Sequence, residues 1–218
     1  MGRLVLEQAT RIVLIRHGET LWNRATRIQG HTDIPLSPLG LAQAQRLAEA
    51  LADEPLAAVY SSDLARARQT ADAVAGRHGL GVQLDAGLRE RAFGRFEGLS
   101  WDEIHQGYPE DAARWRRREP DFAVGGGESL TLFSARCVAA ARRICAAHGG
   151  DIIALVAHGG VLDCLYRAAT RVSLEAPRSW QLGNASINRL LATPEGFSLI
   201  GWNDDGHLAG LSADDITA

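Results

Sequence analysis

Two short apolar runs, each stopped by a histidine and a glycine, constrain this chain more than any other feature. The first, Val13-Leu14-Ile15, meets Arg16-His17-Gly18-Glu19-Thr20, and the second, Ile152-Ile153-Ala154-Leu155-Val156-Ala157, meets His158-Gly159-Gly160. Runs this short and this rich in β-branched residues read as strands buried on both faces, as in a parallel sheet. Each would carry a histidine to a strand's carboxyl end, where open α/β sheets bind ligands.

Strand and helix signals alternate along the rest. Ser37-Pro38 reads as an N-cap and first helical residue ahead of Leu41, Ala44, Leu47, Ala48 and Leu51 at helical spacing. Residues 57–61 form a second strand, and Ser62-Asp63 caps a helix through Leu64, Ala67, Ala71 and Val74 to about Gly79. A third strand follows at 82–84. Gly125-Gly126-Gly127 makes a turn before a long helix with Leu130, Phe133, Cys137, Ala141 and Ile144 on one stripe. A helix over 161–169 and a closing pair of strands at 186–191 and 197–202 complete the chain. The expected fold is a three-layer α/β/α domain spanning residues 1–218, with a mostly parallel central sheet. Residues 21–36 lack a period and read as a loop. Residues 91–127, with the capping box Ser100 to Glu103 and a short exposed helix at 109–118, read as a cap-like helical insertion over the site.

Composition narrows the function. The chain has 218 residues, 46% hydrophobic and 22% charged, and no apolar run nears the roughly 20 residues of a membrane helix. Residues 1–7 hold too short an apolar stretch for a signal peptide, so a cytoplasmic location and no membrane partner are expected. A net charge of −3 gives no electrostatic case for nucleic acid. Cys137, Cys145 and Cys164 have no metal-type spacing and read as reduced, buried thiols. The 23 basic residues are all arginine. The absence of lysine excludes a Schiff-base amine and a Walker-type phosphate loop. Guanidinium groups remain, suited to gripping phosphate or carboxylate.

If the two histidine-bearing strands are neighbours, His17, His158, Arg16 and the first helical turn carrying Arg66 converge on one anion site. Phosphoryl transfer fits, because three phosphoryl oxygens need fixed positive donors. An imidazole attacks only when unprotonated, and nearby guanidinium charges favour that state. A carboxyl group must serve the leaving oxygen, and Glu90 is the candidate.

These residues resemble the signature motifs of the histidine phosphatase, or phosphoglycerate mutase-like, superfamily. Arg16-His17-Gly18-Glu19-Thr20, with Trp22-Asn23 and Gln29-Gly30, is similar to its first motif, and Ser62-x-Leu64-x-Arg66-x-x-Gln69-Thr70 to its second. Leu88-Arg89-Glu90 with Gly94 and Glu97-Gly98 resembles the third, Ala157-His158-Gly159-Gly160 the fourth, and Asn203-Asp204-x-x-His207-Leu208 some family endings. The resemblance implies His17 as phosphorylated nucleophile, Arg16, Arg66 and His158 as phosphate ligands, and Glu90 as proton donor and then base. It also implies that Asn23, Gln29 and Gly30 line the phosphate pocket, that no metal or cofactor is needed, and that the partner is a small phosphorylated substrate, with a homodimer as a mild expectation. The implied activity is phosphomonoester hydrolysis, with a phosphoglycerate mutase as the alternative and a non-catalytic phospho-ligand-binding module as a third reading. Chain length and Gln29, where mutases of the family tend to carry Thr, favour hydrolysis.

Plainer readings accompany each residue. A lone histidine after a strand is commonly structural, and a surface salt-bridge cluster around Arg89, Arg91 and Glu97 would mimic the setting of Glu90, with Glu97 as its substitute. A two-histidine metal site lacks ligand spacing and would sit beside repelling arginines. Arg114, Arg116, Arg117 and Arg118 form either a second acidic-group site or a solvated helix face. Trp22 and Trp101 either touch substrate or pack the insertion, and His207 either reaches the pocket rim or lies outside it. His31, His78, His105 and His148 read as surface or structural.

Overall fold

The structure, a computed structural model, describes residues 8–212. The stretch read above for a signal peptide, residues 1–7, lies outside these. The strands are β1 (Thr10–Arg16), β2 (Leu56–Ser61), β3 (Val82–Leu84), β4 (Ile152–Ala157), β5 (Ile187–Thr193) and β6 (Gly196–Asp204). They form one sheet in the order β3-β2-β4-β1-β5-β6. The first four are mutually parallel, whereas β5 pairs antiparallel with β1 and β6 antiparallel with β5. The mostly parallel α/β fold expected from the alternation is the one observed.

The strand period of two builds the layers. Ile12 and Leu14 of β1, with Ile153, Leu155 and Ala157 of β4, face one side and pack on α6 (Leu130–Ala146) and α7 (Gly159–Thr170) through Phe133, Ala141, Ile144, Val161 and Leu165. Val13 and Ile15, with Ile152, Ala154 and Val156, face the other side. They meet Leu47, Ala67, Ala71 and Val74 of α2 (Pro38–Ala50) and α3 (Ala65–His78). All six residues of β4 are buried, which explains its unbroken apolar run. The three cysteines are free and buried. Among the described residues no helix is long and apolar enough to cross a membrane.

Two local readings need correction. Residues 21–36 are not loop throughout: α1 (Leu21–Arg24) forms there because Thr20 and Asn23 make a reciprocal capping box. The third helix begins at Ala65, and its N-cap Leu64 has no capping side chain. Ser62 and Asp63 therefore do not cap it. The Asp33 carboxylate accepts from the Ala65 amide at 2.7 Å instead.

Residues 91–127 hold α4 (Trp101–Gly107) and α5 (Pro109–Arg116), the latter two residues shorter than expected. Phe96, Ile104, Ala112, Phe122 and Val124 form a separate small core here, flanked by Trp101, Tyr108 and Trp115. Main-chain bonds from Ile28 to Leu99 (3.0 Å) and from Gly98 to Ile28 (2.8 Å) join it to the loop after α1.

Candidate active site

Parallel pairing of β1 with β4 aligns Arg16 with Ala157, so His17 and His158 leave adjacent strands side by side. Their ring centroids are 5.2 Å apart. His17 is 3% exposed and His158 is fully buried. The His17 Nδ1 lies 2.7 Å from the Gly18 carbonyl oxygen, which only an N–H can satisfy. Nδ1 therefore carries the proton and Nε2 keeps its lone pair. Burial, and then the charges of Arg66 and Arg16, hold the His17 pKa well below the ordinary histidine value. A neutral ring with a free Nε2 is the nucleophilic form.

The two arginines are supported from behind by carbonyls. Arg66, 1% exposed, donates to the Thr32 and Gly30 carbonyls at 3.1 and 2.8 Å. Arg16 donates to the Leu182 carbonyl. The Nε groups of both, like His158 Nδ1, are buried without a hydrogen-bond partner among the described residues. Burial pulls the Arg16 pKa down to about 10, far too high for it to lose its charge near neutrality. Unused buried donors of this kind are rare unless a ligand takes them. The amino end of α7, at Gly159, adds the positive end of a helix dipole.

Glu90 approaches the same end. Its carboxylate accepts from the Gly160 and Arg91 amides, each at 2.9 Å. Any Cβ at position 160 would overlap Glu90 Oε1, so glycine there admits the carboxylate. The Glu90 carbonyl is held by Arg136 at 3.1 Å and by His31 at 2.8 Å. Glu97, the substitute candidate, is committed elsewhere: it accepts from the amides of His31, Thr32 and Phe93 and from the Thr32 hydroxyl. Gly30, at φ +55°, sits so close that a side chain there would overlap Glu97. Glu97 thus shapes the Gln29-Gly30 loop, and Glu90 rather than Glu97 lines the pocket.

Arg16, His17, Asn23, Gln29, Gly30, Arg66 and Glu90 all line one pocket of about 300 Å³. His158 is not among the lining residues, although its ring adjoins that of His17, which is. Asn23 closes the α1 capping box, and Gln29 lies 3.0 Å from the Thr20 hydroxyl. Among the described residues no group of three or more His, Cys, Asp or Glu side chains is placed to hold a metal.

The far wall is formed by Arg91, Phe93, Trp115, Arg118, Leu174 and Arg178. The arginine run divides here. Arg114 and Arg117 pair with Glu119 in the open, and Arg116 lies over the Trp101 ring at 5.9 Å. Arg118 alone of the run turns inward, in the left-handed region at φ +55°, donating to the Leu174 carbonyl at 2.8 Å and to Asp163 at 3.1 Å. Trp101 packs against Trp115 inside the insertion, and Trp22 lies beside Gly98; neither lines the pocket. His207 reaches the site only through the Ala185 carbonyl, at 3.1 Å.

Sequence reasoning missed Asn184, whose side-chain amide donates to the His17 and Gly18 carbonyls at 3.0 and 3.3 Å. It also missed Ala185, at φ +54°, whose N–H reaches the Arg16 and His17 carbonyls. Asp163, Arg91 and Arg178 carried no pattern either.

Comparison with known proteins agrees with this geometry. Residues 12–205 match the family model of the histidine phosphatase superfamily, branch 1. The chain is 40% identical over 201 residues to phosphoglycerate mutase-like protein 4 of Arabidopsis thaliana, covering 90% of this chain and 86% of that protein. It is 37% identical over 210 residues to the metal-independent phosphoserine phosphatase of the same plant, covering 95% and 87%. The solved structure of a mycobacterial glucosyl-3-phosphoglycerate phosphatase superposes with a TM-score of 0.81 at 34% identity, over 90% of this chain and 100% of that one. The chain belongs to the histidine phosphatase superfamily, and it is an enzyme of that class.

Proposed function

We propose that the protein hydrolyses a small phosphorylated metabolite through a phosphohistidine on His17. The observation that carries this reading is the set of buried nitrogens without a partner among the described residues, Nε of Arg16 and Arg66 and Nδ1 of His158, beside a neutral His17 with a free Nε2. Phosphoryl oxygens would complete those donors. His17 Nε2 attacks phosphorus as the bond to the ester oxygen breaks, and Glu90 gives its proton to the departing oxygen. Glu90 then takes a proton from water, whose oxygen attacks phosphorus and breaks the P–N bond. Inorganic phosphate leaves and both side chains return to their starting states. The arginines supply the positive charge that stabilises each transition state.

The relatives named as phosphoserine and glucosyl-3-phosphoglycerate phosphatases support hydrolysis over mutase activity. Residues 91–127 act as a cap that supplies Arg91, Phe93, Trp115 and Arg118 to the pocket. Arg118 with Arg178 and Arg91 would receive a second acidic group of the substrate.

Acid-labile labelling from a phosphorylated substrate, stopped on the millisecond scale, tests the mechanism. The expected result is one phosphohistidine at His17, absent in His17→Ala. Full-rate hydrolysis by His17→Ala would sink the reading. Retained activity in chelator is expected. With 3-phosphoglycerate and a bisphosphoglycerate primer, release of phosphate rather than isomerisation is expected.

A further inference from the structure

The phosphohistidine reading gives the fully buried Ser62 side chain, which adjoins the site, no task. Ser62 lies at the end of β2, where its amide bonds the Val156 carbonyl at 3.0 Å and continues the pairing with β4. His158 follows β4 directly. The Ser62 hydroxyl oxygen is 2.8 Å from His158 Nε2. That oxygen already accepts from the Leu64 amide at 3.3 Å. A hydroxyl has one proton, and here the other neighbour is itself a donor, so the proton has one acceptor, Nε2.

We propose that Ser62 is a positioning residue that fixes His158 as the neutral Nδ1–H tautomer, and so turns this ring into a hydrogen-bond donor for the phosphoryl group. Donation from the hydroxyl occupies the Nε2 lone pair, and the ring's single proton must then reside on Nδ1. Nδ1 is the buried ring nitrogen left without a partner among the described residues. In the other tautomer the Ser62 proton would be buried with no acceptor, and a lone pair on Nδ1 would confront incoming phosphate oxygens. Ser62 cannot easily swing away, because Ser61 is held by the Asp85 amide at 2.8 Å and its own hydroxyl bonds the Ser62 carbonyl at 2.8 Å.

The strand pairing explains why a residue 96 positions away performs this task. β2 and β4 are parallel neighbours, so their first residues beyond the sheet are adjacent in space. The ring is fully desolvated and lies among Arg66, His17, Arg16 and His31, and the two guanidinium charges oppose a further positive charge, so burial and these neighbours hold its pKa well below the usual histidine value. A neutral ring has one proton to place. Ser62 decides where it goes.

The inference rests on the proposed reaction, but its first test needs no turnover. Long-range proton–nitrogen NMR spectra of the resting, histidine-labelled protein read the tautomer of each ring. The expected pattern for His158 is a protonated Nδ1 and a bare Nε2. Ser62→Ala is expected to disturb that pattern while leaving His148 unchanged, and to lower kcat/KM for an aryl phosphate about 10- to 100-fold. Inhibition by inorganic phosphate should weaken in parallel, and Ser62→Thr, which retains the hydroxyl, should recover most of both. A proton on Nε2 in the wild type would overturn the inference even if Ser62→Ala fails to fold. So would a folded Ser62→Ala with the wild-type tautomer and rate. Absence of a phosphohistidine would instead sink the reaction reading and leave the tautomer result standing.

Discussion

The two ends of the pocket use the same cation in opposite ways. At the inner end, Arg16 and Arg66 donate to the carbonyls of Leu182, Thr32 and Gly30, and each keeps a buried Nε unused. Carbonyl dipoles orient a guanidinium without cancelling its charge. At the outer end, Arg118, Arg167 and Arg178 all lie within 3.3 Å of Asp163. One carboxylate there divides its charge among three cations. Arg91 is intermediate, donating to the Glu128 and Phe122 carbonyls with its guanidinium over Phe93 and Trp115. The inner end is therefore fixed and charge-rich for any phosphoryl group, while the outer end is set by a shared ion pair that a ligand anion can compete for.

The largest expected effect tests the inner end. Glu90→Gln retains the shape and one of the two amide hydrogen bonds but has no acidic proton, so kcat should fall about 10²- to 10⁴-fold for alkyl phosphates. The loss should shrink for aryl phosphates with acidic leaving groups, which need less protonation. An equal loss for both would assign Glu90 a purely structural task.

The second effect is also confined to the inner end, because its two buried rings stay neutral in the folded protein. Both have folded pKa values well below the ordinary one, with burial as the first cause. The unfolded chain therefore binds more protons below about pH 6.5, and stability is complete above that value and lost as pH falls beneath it. Two such rings give a slope approaching ~2.7 kcal/mol per pH unit. Urea unfolding in phosphate-free buffer at pH 6.5, 6.0 and 5.5 measures it. A His17→Asn, His158→Asn double variant should flatten that slope, and an unchanged slope would place the titration elsewhere.

Much of the inner end was legible in the sequence. The strand runs before His17 and His158 have a period and a terminus, and parallel pairing of such strands brings their ends together whatever the loops do. Arg66 and Glu90 followed from motifs placed after elements that end at the same edge. What escaped depends on contacts between distant residues with no local signature. Asn184 reaches the His17 carbonyl across 167 positions, and Asp33 caps a helix that begins 32 residues later. Ser62 and Asp63 looked like capping residues because capping types stood before a helical pattern; both side chains are committed elsewhere, Ser62 to His158 and Asp63 to Arg89. At the outer end almost nothing was legible, since a run of arginines does not reveal which one turns inward.

Arg118 and Arg117 convert that last point into a paired measurement. They are adjacent in sequence and identical in type, yet Arg118 lines the pocket on Asp163 and Leu174, whereas Arg117 pairs in the open with Glu119 at 2.7 Å. Arg118→Ala should raise KM about tenfold for phosphoserine, a phosphomonoester carrying a second acidic group, in line with the roughly 1.5 kcal/mol of a charge-assisted hydrogen bond. KM for phenyl phosphate, which has no second acid, should stay within about twofold, and kcat should hold for both. Arg117→Ala should change neither, since exposed ion pairs contribute little. An equal rise in KM for the two substrates would mean that Arg118 only shapes the cap. An effect of Arg117→Ala matching that of Arg118→Ala would erase the division of the run, and with it the contrast between a substrate-reading outer wall and a solvated helix face.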